Sequence, residues 1–411
     1  MDKSSLASLN ALDGLHQLKA FLSVAHSGSI ARSAEQIFKA PSAIARSVIE
    51  LEQVLGTQLF ERKPRGMLLN TYGEAVKRRG LRIQEEVRLA IDDFCSNRSG
   101  SSALAGLLFS GRKLQLFIAV AEMRNISRVA AQLDMTQAGA SMALSRMEAS
   151  LGQPLFHRML QGMVITDAAT RILARGKRII AELRHMQSDL SAIAGTLMGT
   201  VTVGALPLGR TQIVPQGIAA ALTRHPDLRV TTVESPYEVL ATGLRNGDID
   251  FIFGALREGE HGRGLISEPL FSDSLAIITR AGHPLAEHKR IALDQLLSRQ
   301  WILPRKDAPG RRLVDESFQE LGLAPPLPSV ETGDLAILRS LLINSDMLTA
   351  ISAHQLCFEL AAGDLVELPV QLGKTSREIG ITLREGAQLS PATEVVLEAI
   401  RKQAQKLKIA G

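Results

Sequence analysis

The sequence lacks most of what organises stapled, metal-bound or membrane-inserted proteins. Only two cysteines, Cys95 and Cys357, occur in 411 residues, and their separation fits no metal or redox motif. A disulfide framework and a zinc cluster are therefore excluded, and a reducing compartment is the simplest reading. The opening Met-Asp-Lys-Ser-Ser has no basic segment followed by an apolar core, so no secretory signal is expected. One twenty-residue stretch without charge, 190–209, is long enough to span a bilayer. Its four glycines, its proline and the alternation Val201, Thr202, Val203, Gly204, Ala205 read instead as a helix end, a hinge and a strand.

Catalytic machinery is missing too. Nine histidines are scattered along the chain, and His283 and His288 fit no metal spacing. Ser110-Gly-Arg-Lys113 matches Ser-x-x-Lys at a frequency expected by chance. Gly373-Lys374-Thr375 lacks the glycine a phosphate loop needs, Leu368 standing in its place. Without a cluster of acid, base and nucleophile, no enzyme, no metal and no cofactor are expected.

What is present is the balance of a globular protein, 45% hydrophobic and 22% charged, with room for two to four domains. The net charge of +5 hides an asymmetry. Residues 1–198 carry 25 Lys and Arg against 17 Asp and Glu, whereas residues 199–411 carry 22 against 25. The basic front half suits contact with a polyanion, and equally a solvated helical surface.

The front half repeats itself. Leu18-Lys-Ala-Phe21-Leu-Ser-Val24-Ala25 matches Leu114-Gln-Leu-Phe117-Ile-Ala-Val120-Ala121 at an offset of 96, and 20 of the 66 positions in 18–83 are identical without a gap. Such a match marks duplicated units, about 15–95 and 111–191. In the first, Leu18, Phe21, Leu22, Val24 and Ala25 recur at helical spacing, and the break Ser27-Gly28-Ser29 precedes a second helix over 30–38. A third helix runs over about 41–55, from Pro41 to a stop at Gly56. Small Ala34 and Ala43 where helices must cross complete the pattern of a helix-turn-helix, and the basic stretch around Pro64-Arg65-Gly66 reads as a wing. A long helix follows in each unit. Positions 76, 80, 83, 87, 90 and 94, with their equivalents 172, 176, 179, 183, 186 and 190, form a seam stepping by 4 and 3, and Gly80 and Gly176 would allow close approach. The seam is expected to pair with another helix, in a second subunit or in the other copy. Residues 96–102 read as a flexible joint.

Several motifs are shared with a known family. Copy one has Leu51-Glu52, Leu55-Gly-Thr-Gln-Leu-Phe-Glu-Arg62 and Leu69-Asn-Thr-Tyr-Gly73; copy two has Met147-Glu148, Leu151-Gly-Gln-Pro-Leu-Phe-His-Arg158 and Ile165-Thr-Asp-Ala-Ala169. These resemble the LysR-type transcriptional regulators, over nearly the whole chain. The resemblance implies all-α winged helix-turn-helix heads, each with a long linker helix, followed by an α/β two-lobed effector domain like the periplasmic binding proteins. Two heads are the departure, since such regulators usually carry one. The family opens its recognition helix with Ser-Gln-Pro-Ala-Val-Ser-Arg. Copy one, Ala40-Pro41-Ser42-Ala43-Ile44-Ala45-Arg46, keeps the arginine; copy two, Thr136-Gln137-Ala138-Gly139-Ala140-Ser141-Met142, keeps the glutamine and serine. Each retains part of a base-reading set, because glutamine pairs with adenine and arginine with guanine or phosphate. The wings differ as well: Arg62, Lys63 and Arg65 stand against Arg158-Met159-Leu160-Gln161.

Candidate DNA contacts are Ser29, Arg32, Ser42, Ala43, Arg46, Arg62, Lys63 and Arg65 in copy one, and Arg128, Thr136, Gln137, Ser141 and Arg158 in copy two. Copy one alone, both copies, or copy two alone could bind. Bulk charge does not choose, since residues 1–100 carry 14 basic against 11 acidic groups and residues 101–198 carry 11 against 6, so the more basic copy has the poorer wing.

From Gly199 the pattern becomes alternating strand and helix, an α/β signature. Strands are expected at 201–205, 228–234, 250–254, 275–279, 301–303, 329–332, 348–351, 365–368 and 379–383, and helices at 213–222, 236–246, 311–322, 335–343 and 391–408. The expected organisation is a first head with its linker helix over 1–95, a joint over 96–110, a second head over 111–194 and a hinge at 195–199. An effector domain fills 200–411, with lobe one about 200–272 and 373–411 and lobe two about 273–372. Ligands in such a fold meet strand C-termini and helix N-termini in the cleft. Leu206, Pro207, Leu208, Ser235, Gly254, Ala255, Thr332, Gly333 and Ser352 are the effector candidates, each equally open to ordinary loop or capping chemistry. The function expected is a cytoplasmic regulator that binds double-stranded DNA, senses a small anionic metabolite and forms dimers or tetramers through its linker helices, with no membrane partner. The alternative is an effector-binding or hetero-oligomerising protein whose heads have largely lost DNA binding.

Overall fold

The computed structural model describes residues 12–63, 66–94, 98–160, 162–257, 259–306 and 308–410. Helix α1 (Leu18–Ser27) ends where Gly28 takes φ +68, α2 (Ile30–Gln36) starts under the Ser29 side chain, and α3 (Pro41–Leu55) runs from a first-turn proline to Gly56 at φ +67. The second helix stops short of the expected 38, because Phe38 turns the chain at φ +51. Strands β1 (Phe60–Lys63) and β2 (Gly66–Leu69) form an antiparallel hairpin, and α4 (Thr71–Phe94) follows. After α5 (Arg98–Leu108) the unit recurs as α6 (Gly111–Met123), α7 (Ile126–Gln132), α8 (Gln137–Leu151), the hairpin β3 (Phe156–Met159) and β4 (Gly162–Ile165), and α9 (Asp167–Ile193).

The offset of 96 survives at the level of single bonds. Met67 N–H donates to Gly28 O at 3.1 Å and Met163 N–H to Arg124 O at 2.8 Å. Glu52 accepts from Leu59 N–H at 2.7 Å and Glu148 from Leu155 N–H at 2.8 Å. Gly66 and Gly162 hold φ +125 and +121, and a Cβ on either would strike the carbonyl of residue 28 or 124. Glycine is what lets each wing lie against its own helical turn.

The flexible joint expected over 96–110 is largely the helix α5, which buries Leu104, Leu107 and Leu108 on one face; the surrounding serines masked that spacing. Gly80 and Gly176 do not serve an approach between linker helices. A Cβ on Gly80 would meet Leu18 and Leu22 of α1, and one on Gly176 would meet Leu114 of α6, so these glycines seat each long helix on its own head. The seam itself is filled within the chain. α4 and α9 run antiparallel, Arg79 meeting Glu182 and Asp189 while Arg175 meets Glu86 and Asp93. Val76, Ile83, Val87, Ile172, Ile179 and Leu183 share one core with both heads.

The remainder is α/β. In chain order it comprises β5 (Gly199–Ala205), α10 (Pro207–Arg210), α11 (Ile213–Arg224), β6 (Leu228–Val233), α12 (Tyr237–Asn246), β7 (Phe251–Ala255) and β8 (Leu265–Asp273). Then come β9 (Leu275–Arg280), β10 (Trp301–Leu303), α13 (Pro309–Gln319), β11 (Val330–Glu331), α14 (Leu335–Ile343) and β12 (Leu348–Ser352). α15 (Cys357–Ala362), β13 (Leu365–Glu367), β14 (Arg377–Arg384) and α16 (Pro391–Ala410) close the chain. Two five-stranded sheets result, ordered β6-β5-β7-β14-β8 and β11-β10-β12-β9-β13, one per lobe. The chain leaves the first sheet after Asp273 and returns to it at Arg377.

Strand β8 is missing from the expected elements. Glu268 and Pro269 break its apolar pattern, but a sheet edge tolerates proline because no N–H is needed on its outer side. Its partner β14 shifts register between Ile379 and Gly380, where a side chain on Gly380 would strike Glu268 O. Among the described residues, no single helix is long and apolar enough to cross a membrane.

Candidate nucleic-acid interface and effector cleft

In the first head, Arg32, Ser42, Ala43 and Arg46 are exposed at the starts of α2 and α3. The Ser29 side chain is engaged as the cap of α2, accepting from Arg32 N–H at 3.5 Å. Arg62 and Lys63 lie on β1, where Arg62 pairs with Met67 and Lys63 with Gly66; Arg65 is outside the described residues. In the second head Gln137, Ser141 and Arg158 line one shallow groove together with Asn125, Ser127 and Met159, so α8 and β3 converge on a single surface. Arg128 is exposed in the first turn of α7. Thr136 caps α8, accepting from Gly139 N–H at 3.0 Å.

The two faces differ in chemistry more than in shape. Lys39, Arg46 and Lys63 of the first head correspond at the offset to Met135, Met142 and Met159 of the second, which are 38%, 53% and 62% exposed. Methionines so exposed are not core residues. They replace charge with polarisable apolar surface, and Met159 lines the groove that holds Gln137 and Ser141.

In the α/β part, parallel β5, β6 and β7 end on one edge of the first sheet, and parallel β10, β11 and β12 on one edge of the second. Pro207 and Gly333 are exposed there, and Ser235, Ala255 and Thr332 are half-buried. Gly254, at φ +149, has Leu206 pressed against it, and Leu206 is itself buried. Two candidates offer no free group: Leu208 packs into the lobe core with Val201 and Phe253, and the Ser352 hydroxyl is buried and donates to Asp273 Oδ1 at 2.6 Å. Thr332 is not a helix cap either. Asp334 caps α14, accepting from Ile337 N–H at 3.0 Å, while the Thr332 hydroxyl accepts from Asp334 N–H.

The sequence reading missed three arginines. Arg257, just past β7, lies 5.2 Å from the centre of the Tyr237 ring. Burial pushes its guanidinium below the ordinary arginine value, and repulsion from Arg377 and Arg312 adds to the shift. Arg377 opens β14 and lies against Gly310 in the first turn of α13, its Nη2 3.2 Å from Asp273 Oδ2. No local pattern announces this cluster, because a strand end, a helix turn and a strand start meet only in the folded lobes.

The first lobe is anchored to the second linker helix. Buried Asp250 accepts from Arg184 at 2.8 Å, from His185 Nε2 at 2.8 Å and from Thr202 N–H at 2.7 Å. Burial works to raise its pKa, but the Arg184 charge and these hydrogen bonds outweigh it and hold the carboxyl below the usual carboxylate range. Arg79 of the first linker helix also reaches this part, donating to the carbonyls of Gln388 at 2.7 Å and Leu389 at 3.0 Å.

Comparisons with known proteins agree with this division. A family model described as bacterial regulatory helix-turn-helix protein, lysR family, matches residues 15–74 and again 112–170, and the model for the LysR substrate binding domain matches residues 194–405. The HTH-type transcriptional regulator GalR of Pseudomonas putida is 42% identical over 391 residues, covering 95% of this chain and 97% of that protein. PcaQ of Agrobacterium fabrum, another HTH-type transcriptional regulator, is 30% identical over 297 residues, 72% of this chain and 95% of its own length. Among solved structures, full-length OxyR from Pseudomonas aeruginosa aligns with a TM-score of 0.54 at 21% identity, over 70% of this chain and 93% of that one. CbnR, a LysR family transcriptional regulator, aligns at 0.51 and 20% identity, over 71% and 98%. Both share the fold.

Proposed function

The chain belongs to the LysR family of transcriptional regulators, and from that membership we propose that its heads hold double-stranded DNA while the cleft between the lobes takes a small anionic effector. In the heads the exposed cations Arg32, Arg46, Arg128 and Arg158, with Arg62 and Lys63 on β1 and Arg65 next to them in the sequence, meet phosphates and bases; Ser42 and Ala43 are exposed at the start of α3, and Gln137 and Ser141 share the groove of Arg158. Access to chromosomal DNA places this work in the cytoplasm. Chains assemble into dimers or tetramers, with the α4–α9 seam already occupied within each chain.

One observation carries the choice of an anion. Arg377, itself paired with Asp273, and Arg312 both bear on the Arg257 guanidinium by repulsion at the lobe junction, and an anion seated beside Arg257 would relieve that repulsion while gaining charge-assisted hydrogen bonds. Such a ligand would favour the closed lobes. Asp250 ties the first lobe to α9, so closure would be felt at the heads through that anchor and through the hinge at Gly195 and Gly199, which hold φ +83 and +154.

Calorimetric titration of a panel of small carboxylates beside their neutral amides tests this reading. The acids are expected to bind, and Arg257→Ala to weaken them about 10- to 100-fold, the worth of one charged hydrogen bond. Equal binding of acids and amides, or an indifferent Arg257→Ala, would exclude the anion. Absence of any salt-sensitive DNA binding would leave the interaction-protein alternative standing instead.

A further inference from the structure

The ion pairs along α4 and α9 follow the offset of 96. Arg79 meets Asp189 at 2.7 Å, and Arg175 meets Asp93 at 3.0 Å. Arg79 meets Glu182 at 3.0 Å, and Arg175 meets Glu86 at 3.0 Å. Arg82 meets Glu182 at 2.6 Å, and Arg178 meets Glu86 at 3.6 Å. Moving each first-copy residue forward by 96 and each second-copy residue back by 96 converts one member of every couple into the other. A contact with that reciprocity is isologous, the mark of a twofold interface between identical subunits. Here both halves belong to one polypeptide.

We propose that duplication has built inside one chain the head pair that a homodimer would assemble from two, and that this pair reads a DNA site with two unlike halves. The inference rests on the regulator reading above and deepens it. A twofold pair of identical heads reads a palindrome, because operator symmetry mirrors protein symmetry. In this chain the ion-pair couples of the frame match one for one, but the reading faces have diverged. The first face offers Arg46, whose guanidinium suits the O6 and N7 of guanine. The second offers Gln137, suited to adenine, with Ser141 and Met159 in the same groove and Met142 exposed on the same helix, methionines that can pack on thymine methyl groups. One half is therefore guanine-bearing and the other rich in A·T. The pairing is also unequal behind the heads, since carbonyls of Gln388 and Leu389 cover Arg79 while its equivalent Arg175 stays partly open.

The test is selection from random double-stranded DNA with the full-length chain as wild type, Arg46→Ala and Gln137→Ala. Arg46 and Gln137 are both exposed, so the fold is unaffected. Wild type is expected to recover two unlike halves at a fixed spacing. Arg46→Ala is expected to flatten the preference in the guanine-bearing half and Gln137→Ala in the A·T half, each weakening the selected site about 5- to 150-fold. A palindromic site flattened in both halves by the same substitution would overturn the unlike pair and leave the regulator intact. A preference touched by only one of the two substitutions would do the same. Failure of wild type to recover any sequence would overturn the regulator reading along with it.

Discussion

Replacing Arg79 by leucine is expected to destabilise the paired heads far more than the same change at its equivalent, Arg175. The Arg79 side chain is 1% exposed and donates twice to Asp189, at 2.7 and 3.2 Å, and once to Glu182, at 3.0 Å. Leucine fills much of the volume but strands a buried carboxylate at Asp189, while Glu182 keeps Arg82 at 2.6 Å. Breaking a buried pair from one side costs about 3–5 kcal/mol. Arg175 makes the related contacts in a wetter setting, its partner Asp93 being 45% exposed, so water can take over and the loss is about 1 kcal/mol. For a cooperative unit the size of the paired heads, each kcal/mol moves the melting temperature by about 2–4 °C. Scanning calorimetry of the full chain is therefore expected to show the head transition falling by roughly 6–20 °C for Arg79→Leu and by roughly 2–4 °C for Arg175→Leu. Equal shifts, or a larger one at Arg175, would refute the idea that covering one side of a pseudo-twofold contact sets its worth.

Two further outcomes follow from the same geometry. The Asp250 anchor has a depressed folded pKa, so its stabilisation is complete at neutral pH and is lost as pH falls below about 4 through the folded value. Asp250→Asn is expected to cost about 2 kcal/mol at pH 7 and to flatten the acid limb of urea midpoints against pH; an unchanged acid limb would show that Asp250 does not titrate with unfolding. Gly162→Ala sets a Cβ against Arg124 O at φ +121, and is expected to cost roughly 1–3 kcal/mol and loosen the second wing. Unaltered stability and unaltered protection of the Met163 amide from hydrogen exchange would show that the wing is not tied there.

The heads are legible in the sequence because their determinants are local. The run Leu18, Phe21, Leu22, Val24, Ala25, the proline at 41 and the glycines at 28 and 56 each fix a helix or its end within a few residues. The α/β alternation is legible for the same reason. Long-range geometry is not. Arg79, Arg82, Glu86 and Asp93 each recur at the offset as Arg175, Arg178, Glu182 and Asp189, so the letters of the twofold contact stand in the sequence. Their meaning depends on α4 and α9 running antiparallel, which no local pattern states. The arginines proposed to meet an anion come from positions 257, 312 and 377, on elements brought near one another only by the crossing between lobes. Leu208 and Ser352 stand at strand ends as the alternation implies, but side-chain direction puts one in the core and gives the other to Asp273.

The central claim, that both heads of one chain hold DNA, is tested most directly by the salt dependence of affinity for the full-length protein as wild type, Arg32→Ala, Arg128→Ala and the double variant. Arg32 and Arg128 occupy the same exposed position at the start of α2 and of α7. Each phosphate contact contributes about 0.9 to the slope of log K against log salt. The expected result, for each chain on the DNA, is a slope shallower by about 0.9 for either single variant and about 1.8 for the double. A slope that either single substitution leaves untouched would contradict the claim, leaving one head alone on the DNA.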